Sequence, residues 1–195
     1  GDGVTRLQVT EVGSNRIVLK AETTGEIREG KGIHFPHVPL DMPPIDDDAA
    51  RLVASVKADI DLFGLSFVYG PEDVEFLRSL LGDADSRRVL PKLETAQAFK
   101  CHDEIMDQVP AVLIDRGDLA SEMGLLNMVP AVKTMVETAH KKGTQVLVAT
   151  QFLKSMSDVS TPSIPELFDL YTNLQIGVDG IQFSEETAIG LYPME

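Results

Sequence analysis

From Asp46 onward, short apolar runs alternate with longer stretches in which apolar residues recur every three or four positions. Runs at 62–68, 88–93, 111–115, 145–150 and 179–183 have the length and near-continuous apolarity of buried strands. Helical periodicity fills 49–58, 71–81, 95–107, 129–142 and 165–176, and a short further helix is predicted at 119–123. Asp46, Asp47 and Asp48 offer a start signal for the first helix, and Pro71 stands in the first turn of the second. Gly82, Gly143 and Gly177 follow three of the helices as stops. Strands this apolar are covered on both faces, which is the habit of parallel sheets with helical crossovers.

The opening is different. Residues 5–12 and 16–22 read as strands joined by the turn chemistry of Gly13, Ser14 and Asn15. A third extended stretch is predicted at 25–34, followed by a linker marked by Pro36, Pro39, Pro43 and Pro44. The chain is therefore α/β: a small all-β segment, then about five parallel βα units.

Such units build either a (β/α)8 barrel or an open doubly wound sheet, and the polar residues discriminate. Ser66, Lys92, Glu94, Asp118, Thr150 and Ser184 fall at or just past the C-terminal ends of successive strands. A barrel gathers those positions around one mouth, whereas an open sheet spreads them along an edge. The barrel is favoured. A complete one has eight strands and typically about 250 residues, so the expectation is part of a TIM (β/α)8 barrel whose other strands lie outside this sequence.

Composition narrows the class. The 195 residues are 43% hydrophobic and 25% charged, ordinary for one globular core. No apolar run approaches the ~20 residues of a membrane span, and no signal-peptide pattern opens the chain. The single cysteine, Cys101, excludes an internal disulfide and fits a reducing compartment, so cytoplasm is expected. Seventeen Lys and Arg against 31 Asp and Glu leave a net charge of −14. Phosphate backbones are held by clustered cations, so nucleic acid and anionic membrane are not expected partners.

Lys92 and Glu94 are two residues apart at a strand end, so their side chains leave on one face. Asp118 follows the next strand. Two carboxylates on adjacent strand ends can share a hard cation such as Mg²⁺, and a neighbouring lysine can neutralise a transferring phosphoryl group. The same spacing also fits a Lys–Glu salt bridge at the rim with an aspartate capping the following turn. Backbone amides around Gly117 and Asp118 suit a carboxylate or phosphate. The hydroxyls of Thr150 and Ser184 suit proton relay or substrate binding, and equally the capping of helices that begin just after them. His34 and His37, in a proline-rich loop, are too few for a zinc site. Cys101, His102, His140 and the methionines, among them Met123, Met128 and Met135, receive no functional role.

Taken in order, these segments resemble pyruvate kinase along nearly the whole chain. The carriers are Gly1 to Val4, Lys31 to Pro36, Leu65-Ser66-Phe67-Val68, Pro91-Lys92-Leu93-Glu94-Thr95, Asp115-Arg116-Gly117-Asp118-Leu119, Val148-Ala149-Thr150-Gln151 with Ser155-Met156, and Ser184 to Pro193 with its Glu-Thr-Ala and Tyr-Pro. The resemblance implies that residues 1–40 end a small β domain and residues 41–195 form the second half of the barrel domain. It implies transfer of the phosphoryl group of phosphoenolpyruvate to ADP in glycolysis, giving pyruvate and ATP. Lys92, Thr150 and Ser184 would be catalytic; Ser66, Lys92, Gly117, Asp118 and Thr150 would bind substrate; Glu94 and Asp118 would hold Mg²⁺ or Mn²⁺. K⁺ is implied as well, its ligands lying in earlier strands. A full-length homo-oligomer is implied, with residues 1–195 alone inactive. Departures from the family pattern include Asp115 for alanine, Ala120 and Glu185 for glycines, Gly30 near a usual lysine, His34 for asparagine, and no arginine in Pro162 to Glu166. These keep two alternatives open: a non-catalytic relative that retains the metal site, and a Mg²⁺-dependent enolate or aldol enzyme on the same barrel.

Overall fold

The computed structural model describes residues 5–27, 29, 30, 33, 35, 45–82 and 88–195. Gly1 to Val4, Lys31, Gly32, His34, His37 and the prolines of the predicted linker lie outside the described residues.

Two strands, β1 (Leu7–Val12) and β2 (Ile17–Ala21), form an antiparallel hairpin closed by a hydrogen bond from the Gly13 amide to the Arg16 carbonyl. Val9, Val12, Ile17, Val18 and Leu19 all remain exposed on it. A lone hairpin is marginal in water. This element buries no core of its own.

The rest is a five-stranded parallel sheet whose order is the chain order: β3 (Phe63–Leu65), β4 (Val89–Leu93), β5 (Ala111–Asp115), β6 (Gln145–Ala149) and β7 (Gly180–Gln182). Sequential parallel strands in unbroken order, separated by helices, are the layout of a barrel segment. Among the described residues, β3 and β7 are the two edges.

The helices follow local chemistry. Helix α1 (Asp47–Val56) starts where the Asp46 carboxylate accepts the Ala49 amide at 2.7 Å, with Asp47 and Asp48 against the positive end of its dipole. Helix α2 (Pro71–Leu81) opens on proline and ends at Gly82, whose φ of +73° closes the last turn. The predicted helix at 95–107 is two short ones, α3 (Ala96–Lys100) and α4 (His102–Met106), broken at Cys101. Helix α5 (Arg116–Met123) begins directly at the end of β5, three residues earlier than its apolar pattern suggests, because Asp115 caps it. Helix α6 (Leu125–Lys142) also starts earlier than predicted and carries Pro130 inside it. Helices α7 (Ile164–Gln175) and α8 (Glu185–Ala188) complete the set.

The core lies between strands and helices. Val89, Leu93, Val112, Ile114, Val146 and Val148 pack with Leu77, Ile105, Met135, Val136 and Phe152 in one buried cluster. Met123 and Met128 pack partly against it. Its role is to hold five strand ends in fixed register.

Candidate active site

Alternation along the strands decides which side chains meet. Lys92 pairs in register with Leu113, so both point to the same face of the sheet. Glu94 is two residues beyond Lys92, and Asp115 two beyond Leu113. All three acidic and basic groups therefore emerge on one side, at the C-terminal ends of the strands.

Lys92 Nζ lies 2.7 Å from Glu94 Oε2 and 3.2 Å from Asp115 Oδ2. Glu94 is fully buried, and the Phe67 amide donates to its Oε1 at 2.6 Å. Phe67 itself sits at φ +52°, a conformation rare outside glycine and found where surrounding structure enforces it. Burial raises the Glu94 carboxyl above its ordinary pKa, with the Lys92 and Phe67 contacts offsetting only part of the rise. Burial pulls the Lys92 ammonium down, but Glu94 and Asp115 together outweigh it, and its pKa is raised. Lys92 is thus held as a cation at neutral pH.

Carboxylate oxygens of Glu94, Asp115 and Asp118 all lie within 4.8 Å of one another. Glu94 Oε2 is buried with the Lys92 ammonium as its partner. Three carboxylates around one lysine leave net negative charge, which fits a hard divalent cation completing its shell with water and ligand oxygens.

Asp115 is the residue that sequence reasoning underrated. Its Oδ1 accepts the Gly117 amide at 3.2 Å, the Asp118 amide at 3.5 Å and the Thr150 hydroxyl at 3.2 Å. The cap expected of Asp118 is made by Asp115. The parity of β5, with Leu113 inward, was the available signal.

Thr150 stands just past β6 with φ +72°, followed by Gln151 at +58° and Leu153 at +45°. Its hydroxyl also accepts the Gly117 amide at 2.9 Å. Arg116 holds the Thr150 carbonyl through Nε at 3.2 Å and Nη2 at 2.5 Å, and its Nη1 forks onto both Asp169 oxygens at 3.0 and 2.8 Å. The guanidinium lies 3.8 Å over the Phe152 ring. Nothing in the local sequence around either residue announces this pairing.

Lys92, Glu94, Gly117, Asp118 and Thr150 therefore come together. Ser66 follows β3 immediately, exposed and next to Phe67. Ser184 follows β7, but its hydroxyl engages Glu186 Oε2 at 3.3 Å rather than Thr150. Residues given no role have local partners: His102 sits between the Phe99 carbonyl and Thr138, His140 meets the Gly177 carbonyl at 2.7 Å, and the Cys101 thiol faces the Tyr69 and Gln97 carbonyls.

An ammonium, three carboxylates and helix amides gather at the C-terminal strand ends of a parallel barrel segment. The chain belongs to the pyruvate kinase barrel-domain family, whose profile it matches over residues 1–195. It is 36% identical over 195 residues to a pyruvate kinase of Methylorubrum extorquens, covering all of this chain and 40% of that one. A pyruvate kinase of Methanocaldococcus jannaschii is 33% identical over 199 residues, with 44% of its length covered. One from Agaricus bisporus is 31% identical over 196 residues, with 37% covered. The chain thus spans about two fifths of the length of these relatives. No described helix is long and apolar enough to cross a membrane.

Proposed function

We propose that the full-length protein is a pyruvate kinase, moving the phosphoryl group of phosphoenolpyruvate to ADP. The observation that carries this reading is the convergence of Lys92 with the Glu94, Asp115 and Asp118 carboxylates on one face of adjacent strand ends. Residues 1–40 are assigned to the end of a small β domain and residues 41–195 to the second half of the barrel domain. The cytoplasm, glycolysis and a homo-oligomeric assembly belong to the same reading.

Glu94 and Asp118 would hold Mg²⁺, or Mn²⁺ in its place. That ion, when bound, neutralises phosphate charge and docks substrate oxygens. No residue of this chain is assigned to K⁺. Lys92 faces the phosphoryl group as its bond to the enol oxygen breaks and a bond to ADP forms; its fixed positive charge stabilises the charge in flight. The Gly117 and Asp118 amides and the Thr150 hydroxyl receive the substrate carboxylate, with Ser66 beside them. The enolate left behind takes a proton at its methylene carbon, next to Thr150, with Ser184 in the relay. Positioning and charge account for most of such a reaction.

The deciding experiment is ADP-dependent formation of pyruvate and ATP from phosphoenolpyruvate by the full-length protein, with and without Mg²⁺. Turnover is expected of the full-length protein and not of residues 1–195 alone. Pyruvate formation without ADP supports the enolate-chemistry alternative instead. The presence of Asp115 among the carboxylate-receiving donors favours a second reading, a relative that binds metal without turning over. Mg²⁺ binding with no pyruvate formed supports that one.

A further inference from the structure

We infer that Asp115 is a built-in carboxylate occupant, lying on the donors of Gly117, Asp118, Thr150 and Lys92, so that a carboxylate ligand binds only by displacing it. The inference rests on the proposed reading of those donors as the substrate-carboxylate site.

Four donors converge on this one side chain. Oδ1 takes two helix amides and the Thr150 hydroxyl, and Oδ2 faces Lys92 Nζ at 3.2 Å. A simple helix cap needs only the amides. The additional hydroxyl and ammonium extend the set beyond a cap, and Asp115 shares it: the Thr150 hydroxyl also meets the Ala149 carbonyl at 2.7 Å, the Gly117 amide meets Thr150 Oγ1 at 2.9 Å, and Lys92 meets Glu94 at 2.7 Å. Asp115 is only 7% exposed, so it does not share the donors with bulk water.

The seat is loose. Charge-assisted N–H···O⁻ contacts typically measure about 2.7–2.9 Å, whereas the Asp115 contacts run from 3.2 to 3.5 Å. A free carboxylate is under no strand constraint and can approach more closely. Competition from the tethered group reduces apparent affinity in proportion to how fully it occupies the site. The position carries alanine in the family pattern that this chain resembles, a residue that leaves the donors open.

The test uses oxalate, a rigid dicarboxylate whose binding needs no turnover, titrated calorimetrically into the full-length protein at saturating Mg²⁺. Wild type, Asp115→Asn and Asp115→Ala are compared. Removing the occupant should tighten oxalate by about tenfold or more in Asp115→Ala. Asp115→Asn keeps the oxygen on the amides and the cap on α5, but loses the attraction to Lys92, and should fall between the two. Equal affinities in the asparagine and alanine variants would mean that only charge mattered, and would overturn occupancy. So would no change from wild type, no oxalate binding in any of the three, or a loss of Mg²⁺ affinity in Asp115→Ala that carries oxalate down with it. Pyruvate formation from phosphoenolpyruvate and ADP is measured on the same preparations. Absent turnover with the binding order intact rejects the kinase reading alone; turnover without that order rejects the Asp115 inference alone.

Discussion

Arg116 and Thr150, 34 residues apart, are locked together by two guanidinium contacts to one carbonyl oxygen. The grip explains how Thr150 persists at φ +72°, since a β-branched residue there needs its surroundings to enforce it. Asp169 and the Phe152 ring hold the guanidinium in turn. Lysine cannot reproduce a planar fork of this kind. Arg116→Lys should leave Mg²⁺ affinity near wild type and lower turnover about tenfold or more, because a small misplacement of a reacting group is costly. Exchange of pyruvate methyl hydrogens with solvent, followed by NMR, should fall in parallel. An unchanged exchange rate would detach Thr150 from the proton step.

The order of the five strands and the meeting of Lys92 with Glu94 were legible in the sequence, because both follow from local periodicity. Strand parity places Lys92 and Glu94 on one face whatever the rest of the chain does. The Arg116–Asp169 pair was not legible, because its members lie 53 residues apart, in α5 and α7, and meet only in the folded chain. The amide of Phe67 reaching Glu94 was hidden for the same reason; backbone donors leave no mark in a sequence. Helix limits failed where caps overrode apolar pattern. Asp115 starts α5 before its first apolar residue, and α6 runs through Pro130, where a proline ordinarily argues for a boundary. Asp115 itself was visible as an added charge, yet its orientation toward Thr150 and the α5 amides depends on the register of β5 with β6.

Glu166 supplies a pH dependence with a definite sign. It stands in the first turn of α7 and accepts from the amides and hydroxyls of both Ser155 and Ser163. Burial pushes its carboxyl up, but the four hydrogen bonds outweigh this and bring its pKa down to about 2. A group whose folded pKa is depressed stabilises the fold fully above its unfolded value, roughly 4.3, and loses that contribution as pH falls through the folded one. Glu166→Gln should therefore cost roughly 1 kcal/mol, the worth of a cap interaction, and lower Tm at pH 7. The gap between variant and wild type should narrow below about pH 4.3 and close near pH 2. Thermal melts of the full-length protein across that window check it; a gap independent of pH would show that the charge of Glu166 is not what stabilises α7.

Glu94, Asp118 and Lys92 occupy one cluster but should respond differently to substitution. The two carboxylates are assigned to the metal, and Mg²⁺ keeps most of its shell for water and ligand oxygens. Losing one anionic oxygen should weaken the ion, and with it any substrate that docks partly through the ion. In the full-length protein, Glu94→Gln and Asp118→Asn should raise the Mg²⁺ concentration for half-maximal activity and the KM for phosphoenolpyruvate together. Lys92→Met removes the cation that lies 2.7 Å from Glu94 and 3.2 Å from Asp115. Relieved of that competitor, the carboxylates should bind Mg²⁺ as well as before or better, while turnover falls by roughly 10²–10³, the scale set by one well-placed electrostatic group. Solvent exchange of pyruvate methyl hydrogens should survive Lys92→Met better than phosphoryl transfer, since the carbon being protonated is assigned to the Thr150 side of the site. Mg²⁺ titration, steady-state kinetics and the exchange assay on the three variants separate these outcomes. If Glu94→Gln and Asp118→Asn leave the Mg²⁺ dependence where it was, the carboxylates serve only to neutralise Lys92 at the barrel rim, and the assigned metal site is wrong.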